Sequence, residues 1–334
     1  MGEARLAVRS ALRRSLSDLA PDAVVLVACS GGPDSLALAL ACADEARSSE
    51  RRFAAAVIDH GLQPGSRDVA EEAARACRAA GLAPVEVIGV SVDGPGGIEN
   101  AARDARRAAL LQAAEGLGAT AILLAHTRDD QAETVLIRLG RGSGARSLAG
   151  MAPVDGPWRR PLLELPRAIV HASLEGSPAW TDPHNANRDF ARVRVRLDAL
   201  PALVEALGPD VVDGLARSAV LLRDDADALD ALADEAWRHA RVDGAAEIEL
   251  DVFSLESLPR AVRTRVLRRA AIEAGCPPAA LTRDHVLAVE ALVTDWRGQG
   301  QLALPGQIRA GRERSESGYA RLTLRRVAGH PQGE

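Results

Sequence analysis

The most informative absence in this 334-residue sequence is lysine, which does not occur, so that all 41 basic residues are arginine. Enzymes that need a lysine of their own are thereby excluded, among them those with a Walker P-loop and those that form a Schiff base on lysine. Aromatic residues make up only 2% of the chain. That is too few for a surface that stacks a run of unpaired bases on successive rings.

Cysteines and long apolar runs are also scarce. The four cysteines lie far apart, with no CxxC pair and no neighbouring histidines, so the sequence predicts neither a zinc knuckle nor a disulfide framework. They are Cys29, Cys42, Cys77 and Cys276. No apolar run approaches the ~18 residues of a membrane helix, and Met1 to Ala20 lacks the apolar centre of a signal peptide. We therefore expect a cytoplasmic protein with no membrane partner.

The composition is that of a globular protein, with 47% hydrophobic and 26% charged residues. The length suggests about two domains. We expect a first domain over residues 1–202, a helical linker over 203–241 and a smaller, mostly helical domain over 242–334. The net charge of −5 gives no general attraction to nucleic acid. Three arginine clusters could still attract nucleic acid locally, or each could form a solvated helix face. They are Arg188 to Arg196, Arg260 to Arg269 and Arg309 to Arg314.

The first half of the chain alternates short aliphatic runs with amphipathic segments, which is typical of an α/β fold with a doubly wound, mainly parallel sheet. The predicted strands are Val24 to Cys29, Phe53 to Asp59, Val85 to Val90, Ala121 to His126 and a fifth at Arg159 to Leu165. The predicted helices between them are Asp34 to Ala46, Ser66 to Ala80, Glu99 to Glu115 and Asp129 to Leu139. A long helical pattern covers Val204 to Arg241, and shorter strand-like pieces follow at Glu247 to Val252, Gln301 to Leu304 and Arg321 to Arg325.

The sharpest motif is Ser30-Gly31-Gly32-Pro33-Asp34-Ser35, between the first predicted strand and the first predicted helix. Glycines allow the backbone to approach an anion closely, and the N-terminus of the following helix favours phosphate. The hydroxyl groups of Ser30 and Ser35 add donors. Because bare phosphate would repel Asp34, this carboxylate indicates a Mg²⁺ ion between itself and the phosphate.

A second polar segment, Ala125 to Thr134, follows the fourth predicted strand. Asp130 and Glu133 are three residues apart on one helix face, so they could hold a cation between them. Thr127 and Asp130 also fit a capping box, in which case the acids only complement the helix dipole. The sequence leaves both interpretations open.

Two histidines, His60 and His126, each end a predicted strand at the same edge of the sheet. Neither has a second ligand at zinc spacing, so we expect hydrogen bonds to backbone or substrate rather than a metal.

The motifs together resemble a known family. The segment Ser30 to Ser35 is similar to the PP-loop of the N-type ATP pyrophosphatases, which cleave ATP between its α and β phosphates and whose first and fourth strands are neighbours. Within this superfamily, a series of motifs in this sequence resembles the tRNA(Ile)-lysidine synthase family, with the motifs in the same order along the chain. They are Asp59-His60-Gly61-Leu62, Ala101 to Arg106, Ala125 to Thr134, Arg141-Gly142-Ser143-Gly144, Arg160-Pro161-Leu162-Leu163 and Trp180 to Asn185. The sequence departs from the family pattern at Gln63, Arg107 and Val193.

This resemblance implies that ATP adenylates the C2 oxygen of the wobble cytidine of tRNA(Ile) with a CAU anticodon. The ε-amine of free L-lysine then displaces AMP and gives lysidine. The implied cofactors are ATP and Mg²⁺, with Asp34 as the metal ligand, and a homodimer is the oligomer expected.

The resemblance also implies roles for individual residues. Asp34, Asp130, Glu133 and Arg106 would be catalytic, with Asp130 or Glu133 taking the proton of the incoming amine. Arg103 and Arg106 could clamp a phosphate or the lysine carboxylate, or could form a basic helix surface. The residues implied to bind ATP are Ser30, Gly31, Gly32, Pro33, Asp34, Ser35, His60 and His126. Arg192, Arg194 and Arg196 alternate as on an extended segment, where they could meet the anticodon arm or form salt bridges.

Three alternatives remain open. A PP-loop tRNA thiolase would activate the same kind of base carbonyl but would need catalytic cysteines or an iron–sulfur cluster. An amidotransferase would need an ammonia-delivering domain, for which the sequence shows no signal. A nucleotide-sensing module would bind ATP without releasing pyrophosphate in response to tRNA.

Overall fold

The computed structural model describes residues 2–61, 65–91, 98–142, 144–176, 187–242, 247–315 and 318–327. The chain forms two compact units, Met1–Arg223 and Asp224–Glu334, here called the N-terminal and C-terminal units. Their division falls inside the expected linker, 203–241. Among the described residues, no helix has the length and apolar character needed to cross a membrane.

The N-terminal unit is built on a six-stranded sheet in the order β3-β2-β1-β4-β6-β5. All of its neighbours are parallel except the final pair, β5 and β6. Its strands are β1 (Val24–Ala28), β2 (Arg52–Asp59), β3 (Val85–Gly89), β4 (Ala121–Leu123), β5 (Val154–Asp155) and β6 (Trp158–Arg159). The mainly parallel α/β fold expected from the sequence is therefore confirmed.

Helices cover this sheet and continue beyond it. They are α1 (Glu3–Ser15), α2 (Pro33–Ala46), α3 (Ser66–Ala80), α4 (Ile98–Leu117), α5 (Arg128–Gly140), α6 (Ala145–Leu148), α7 (Arg167–Ala172), α8 (Ala191–Arg194), α9 (Leu200–Leu207) and α10 (Val211–Ala240). A π-helical turn, Val195–Ala199, joins α8 to α9. The division between the two units lies within α10.

The centre of the sheet brings the two polar segments together. Strand β1 pairs in parallel with β4, with Val25 opposite Ala121, as in the PP-loop arrangement. Both strands are almost completely buried, because helices cover the sheet on two faces. The loops that leave their carboxyl ends therefore open at the same edge, where ligands of such folds bind.

Two strand predictions need correction. The fourth strand ends at Leu123 instead of His126. The predicted fifth strand, Arg159 to Leu165, is wrong after its first residue: strand β6 ends at Arg159, and the next residues form turns. Pro161 lies within those turns, and a proline has no backbone N–H with which to continue a strand pairing.

The segment after α6 is held by one glutamine. The Gln131 side chain donates to the Met151 carbonyl oxygen (3.0 Å) and accepts from the Met151 backbone N–H (2.8 Å). Gly150 beside it has φ +63°, and a Cβ there would lie 2.5 Å from Oε1 of Gln131. Glycine is therefore strongly favoured at this position.

The C-terminal unit combines helices with a four-stranded antiparallel sheet in the order β7-β10-β9-β8. Its elements, besides the end of α10, are β7 (Ile248–Asp251), α11 (Val252–Ser257), α12 (Arg260–Glu273), α13 (Arg283–Thr294), β8 (Leu302–Leu304), β9 (Ile308–Arg314) and β10 (Ala320–Arg326). Three of these strands were predicted. Strand β9 was not, and it contains the cluster Arg309 to Arg314, so a helix face is the wrong alternative for that cluster.

Candidate active site

The PP-loop, Ser30 to Ser35, connects β1 to α2 as predicted. Gly31 has φ 80°, a left-handed conformation that glycine adopts without strain. The Ser35 hydroxyl accepts from the Ser30 backbone N–H (3.1 Å) and donates to the Gly32 carbonyl oxygen (2.9 Å), so the loop is held as a tight turn. No side chain caps the N-terminus of α2, where Gly32 is the N-cap and Pro33 follows. The first-turn N–H groups and the positive dipole end thus suit a phosphate.

Asp34 follows Pro33 in the first turn of α2 and faces α7. Its Oδ1 lies 3.0 Å from Nε2 of His171, and its Oδ2 lies 4.0 Å from Nε of Arg167. Burial raises the pKa of Asp34, and the nearby negative charge of Asp130 raises it further. The PP-loop carboxylate and the second polar segment therefore belong to one electrostatic site.

The start of α5 is a capping box, one of the two interpretations that the sequence left open. The Asp130 Oδ2 atom accepts from the Thr127 backbone N–H (2.8 Å) and from its hydroxyl (2.9 Å). The Thr127 hydroxyl oxygen in turn accepts from the Asp130 backbone N–H. Capping occupies only one oxygen of Asp130, so the other can still bind a cation.

The cations bound by these acids in the structure are arginine side chains. Asp130 and Glu133 bind three guanidinium groups, from Arg167, Arg192 and Arg196, and these five residues are here called the acid–arginine cluster. The Glu133 side chain is 0% exposed. A fully buried carboxylate needs paired charges, because an unpaired one would cost several kcal/mol.

The contacts within the acid–arginine cluster saturate both acids. Oδ1 of Asp130 accepts from Nη2 of Arg167 (2.9 Å) and Nη2 of Arg196 (3.2 Å). Oε1 of Glu133 accepts from Nε of Arg196 (2.7 Å) and Nη2 of Arg167 (3.1 Å), while Oε2 accepts from Nη2 of Arg196 (3.1 Å). Arg192 donates to the Thr134 hydroxyl (2.9 Å) and lies 3.8 Å from Oε2 of Glu133. Burial would raise the pKa of Asp130, but Arg167 and the Thr127 hydrogen bonds lower it.

The arginines at 192, 194 and 196 correct the expectation of an extended segment. Arg192 and Arg194 lie in α8, and Arg196 lies in the π-helical turn. Arg194 donates to the carbonyl oxygens of Arg188 and Asp189 (2.7 and 2.8 Å). Arg192 and Arg196 bind the acids of α5, so these three side chains form internal bonds.

His126 follows β4 and is held neutral by its surroundings. Burial lowers its pKa to about 4, and the positive charges of Arg160, Arg192 and Arg103 oppose protonation as well. Its Nδ1 atom is buried and has no hydrogen-bond partner within the described part of the chain. This ring nitrogen can therefore take part in one further hydrogen bond.

The remaining predicted residues are less concentrated. His60 follows β2 and is half-buried, whereas Arg103 and Arg106 lie exposed on α4. Arg107, one of the departures from the family pattern, lies 4.4 Å above the ring centre of Trp158. The motif residues Leu62, Gln63, Ser143 and Trp180 to Asn185 lie outside the described residues.

Sequence reasoning missed two residues of the site, Arg167 and His171. Both come from α7, a six-residue helix that places them beside Asp34. Backbone bonding fixes this helix, because the Arg167 N–H donates to Oδ2 of Asp129 (2.7 Å). The available signal was Pro166, which marks a helix start shortly after the motif Arg160 to Leu163.

The carboxylates near the PP-loop suit a magnesium ion only in part. No group of three His, Cys, Asp or Glu side chains that could hold a metal occurs within the described residues. Magnesium, however, commonly binds one or two carboxylates together with substrate phosphates. Asp34 at the uncapped N-terminus of α2 fits that arrangement, with the phosphate oxygens of ATP supplying the other ligands.

Family models match both parts of the chain. The PP-loop domain matches residues 6–203, and the TilS substrate binding domain matches residues 250–315. A tRNA(Ile)-lysidine synthase of Thermobifida fusca is 54% identical over 307 residues, covering 91% of this chain and 94% of that relative. One of Streptomyces coelicolor is 52% identical over 295 residues, covering 87% and 83%.

A solved structure shares the fold. It is the U34-tRNA thiolase NcsA from Methanococcus maripaludis with its [4Fe-4S] cluster, with a TM-score of 0.53 and 18% sequence identity. The match covers 66% of this chain and 80% of that chain. At this identity the similarity supports the architecture and carries no statement about activity.

Proposed function

This chain belongs to the family of tRNA(Ile)-lysidine synthases, and from that premise we propose how its residues carry out the reaction. The reaction is the ATP-dependent ligation of lysine to the wobble cytidine of tRNA(Ile). The observation that carries the proposal is the meeting of the PP-loop and the acid–arginine cluster at the carboxyl ends of β1 and β4. Phosphate recognition and cation recognition thereby share one site.

We assign the first step, adenylation, to the PP-loop. The uncapped N-terminus of α2 and the hydroxyl group of Ser30 would bind the phosphates of ATP. The C2 oxygen of the cytidine attacks the α-phosphate, and pyrophosphate leaves. Mg²⁺, when bound at Asp34, would neutralise charge on the phosphates. His126, neutral and with an unpartnered Nδ1, would hydrogen bond the nucleotide or the base.

We assign the second step, displacement of AMP by lysine, to the acid–arginine cluster. The ε-ammonium group first loses a proton to water, the neutral amine attacks C2, the C–O bond breaks with AMP as the leaving group, and the proton released from the new C–N bond also passes to water. Asp130 has a lowered pKa and remains ionised, which suits holding a cationic amine better than taking its proton. A lysine ammonium group would reach Asp130 or Glu133 only by replacing a guanidinium group, because the arginines occupy both acids. Lysine as the co-substrate, Arg106 as a catalytic group and a homodimer remain proposals.

One observation favours a second candidate, sulfur transfer. The Cys29 thiol lies 3.8 Å from the Ser35 hydroxyl, and a hydrogen bond with Cys77 lowers its pKa to about 7. A lowered pKa is typical of reactive thiols. Cys29 and Cys77 are nevertheless buried, whereas a reactive cysteine must be reached by its substrate. In addition, the relatives that share 54% and 52% of their aligned residues with this chain are tRNA(Ile)-lysidine synthases, which favours ligation over sulfur transfer.

The test is a reconstitution with the full chain, a tRNA(Ile) transcript with a CAU anticodon, ATP and labelled lysine. We expect lysine incorporation with equal amounts of AMP and pyrophosphate, and none with a transcript whose wobble cytidine is replaced by uridine. ATP binding without lysine in the tRNA would instead indicate a nucleotide sensor. Sulfur in the tRNA would indicate a thiolase.

A further inference from the structure

Two exposed aromatic side chains distinguish the C-terminal unit. The sequence contains only four Trp, three Phe and one Tyr. Of the aromatic residues that the structure describes, Phe253 and Tyr319 are the most exposed, at 80% and 64%. An aromatic ring left in water forgoes the favourable free energy of burial, so two of them in an aromatic-poor chain call for an explanation.

The sheet brings these two residues to the same end of one strand pair. Strand β10 runs antiparallel to β7, with Arg321 opposite Asp251. Phe253 follows Asp251 by two residues, and Tyr319 precedes Arg321 by two residues. Because the strands are antiparallel, the chain after Asp251 and the chain before Arg321 leave the pair at a common end.

The backbone on each side is fixed. Asp251 caps α11, accepting from the Ser254 backbone N–H (2.9 Å) and hydroxyl (2.8 Å), and Phe253 lies in the first turn of that helix. The Tyr319 backbone N–H donates to the Ser315 hydroxyl oxygen (3.1 Å), and its carbonyl oxygen accepts from the Ser315 N–H (2.8 Å). Both rings therefore project from ordered positions, which lowers the entropic cost of binding.

An arginine links the two positions. Arg321 donates to Oδ1 of Asp251, and its guanidinium carbon lies 5.9 Å from the centre of the Tyr319 ring. The exposed Arg314 lies on β9 opposite Ala320, next to Tyr319. Aromatic rings beside arginine are the side chains on which proteins stack unpaired bases while holding the adjoining phosphates.

We propose that Phe253 and Tyr319 form a stacking site for one unpaired nucleobase of the tRNA substrate. The inference rests on the proposed function, which supplies an RNA substrate, and on the substrate binding domain matched over residues 250–315, which contains Phe253 and ends four residues before Tyr319. One base needs only one or two rings. The low aromatic content that excludes stacking of a long run is therefore compatible with this site.

The test compares leucine with aromatic replacements, because leucine keeps apolar bulk but lacks a flat ring. We expect the double variant Phe253→Leu/Tyr319→Leu to bind the tRNA(Ile) transcript ~10-fold more weakly at fixed salt. The ring-exchange variant Phe253→Tyr/Tyr319→Phe should stay within about twofold of the parent. Leu232→Ala, an exposed apolar change on α10, is the control for non-specific loss of surface. Both rings are exposed, so neither change removes core packing.

A second measurement identifies the base. Transcripts that carry 2-aminopurine at one unpaired adenosine at a time should show fluorescence quenching with the parent chain and not with the leucine variant. An unchanged dissociation constant for the leucine variant would overturn the inference. So would loss of self-association in Phe253→Asp with tRNA binding intact, because the surface would then serve a second copy of the chain. Failure of the proposed function is distinguishable, since it would appear as absent lysine incorporation by the parent chain.

Discussion

Buried carboxylates are paired with arginine in both units, but the two sites differ in what surrounds the pair. In the C-terminal unit, Glu290 on α13 accepts from Arg260 (3.1 Å) and Arg263 (2.9 Å) of α12. In the N-terminal unit, the acid–arginine cluster contains two acids and three arginines and continues through Arg167 to Asp34 of the PP-loop. One arrangement joins two helices, and the other adjoins a phosphate loop.

This difference shows that the number of arginines in a segment does not indicate its role. The cluster Arg260 to Arg269, expected from the sequence to attract RNA or line a solvated face, is largely committed to internal partners. Arg265 binds Asp230, Arg269 binds Asp234 and Glu273, and Arg268 donates to carbonyl oxygens. The two sites differ in their surroundings. In the C-terminal unit the charges are balanced within a contact between two helices, whereas in the N-terminal unit they are balanced next to the loop expected to bind the phosphates of ATP.

The largest difference between the two sites is expected on removal of Asp34, the acid at the phosphate-binding loop. We expect Asp34→Ala to lower tRNA-dependent pyrophosphate release by ~10³-fold, because the charge that holds Mg²⁺ at the leaving group is lost. Thermal unfolding should change little, since Asp34 is partly exposed. Asp22→Ala, which removes an exposed acid, is the control. Near-normal release by a folded Asp34 variant would refute the assignment.

The second largest effect is a pH dependence of stability in the N-terminal unit. The pKa of His126 is about 4 in the folded chain, against 6.5 for an ordinary histidine. Between these values the unfolded chain binds a proton that the folded chain does not, so the free energy of unfolding falls as the pH is lowered from 6.5 to 4. The expected loss is about 3 kcal/mol. Chemical denaturation of the parent and of His126→Asn measures it, and equal pH slopes would contradict the buried neutral histidine.

The acid–arginine cluster is tested by Glu133→Gln, which keeps the size of the side chain and removes its charge. The three arginines of the cluster then have one acid fewer to balance them, so the site repels a lysine ammonium group. We expect the KM for lysine to rise ~100-fold while the KM for ATP changes less than about threefold. An unchanged KM for lysine would place the amino-acid site elsewhere.

The matched substitution in the C-terminal unit, Glu290→Gln, should affect stability without affecting lysine binding. Arg263 is mostly buried whereas Arg260 is mostly exposed, so we expect a loss of about 2 kcal/mol, below the range for a fully buried pair. Lysine incorporation at saturating tRNA should stay unchanged at 25 °C. If this variant instead raised the KM for lysine, the distinction between the two sites would fail.

The smallest effect is expected from the cysteines. Ligation uses an adenylated base and an amine, so changing Cys29, Cys42, Cys77 and Cys276 to Ala or Ser should keep lysine incorporation within about tenfold, or ~1.4 kcal/mol of barrier. The folded, purified variant is assayed at saturating ATP. Complete loss, with sulfur in tRNA treated with the parent chain, would favour the thiolase.

The sequence predicted the framework better than the contacts. Helix α3 has the predicted bounds because its amphipathic pattern is regular, and the PP-loop lies where its glycines indicated. Strand β9 was missed because its sequence, Ile308 to Arg314, alternates weakly and is rich in arginine. Arg312 there donates to the last carbonyl oxygens of α13, a tertiary contact that no local pattern reveals.

The acid–arginine cluster was half predictable. Asp130 and Glu133 were identified from their spacing, whereas their partners come from segments 34 to 66 residues further along the chain. Arg192 and Arg196 are four residues apart, which places them on one helix face, but the alternation with Arg194 fits an extended segment equally well. Sequence spacing indicates which residues share one face of a helix, but it does not indicate which residues that face contacts in the folded chain.

The close approach of Gln131 to Gly150 has a consequence for how this protein can vary. A side chain at position 150 would have to adopt the left-handed backbone conformation, φ +63°. Its Cβ atom would also lie 2.5 Å from Oε1 of Gln131, so the Gln131 side chain would have to move away. Withdrawal would break the two hydrogen bonds to Met151, and Gln131 lies on α5 directly beside Asp130. A substitution at position 150 would therefore displace Gln131 and so act on the start of α5, which links variation in this turn to the site itself.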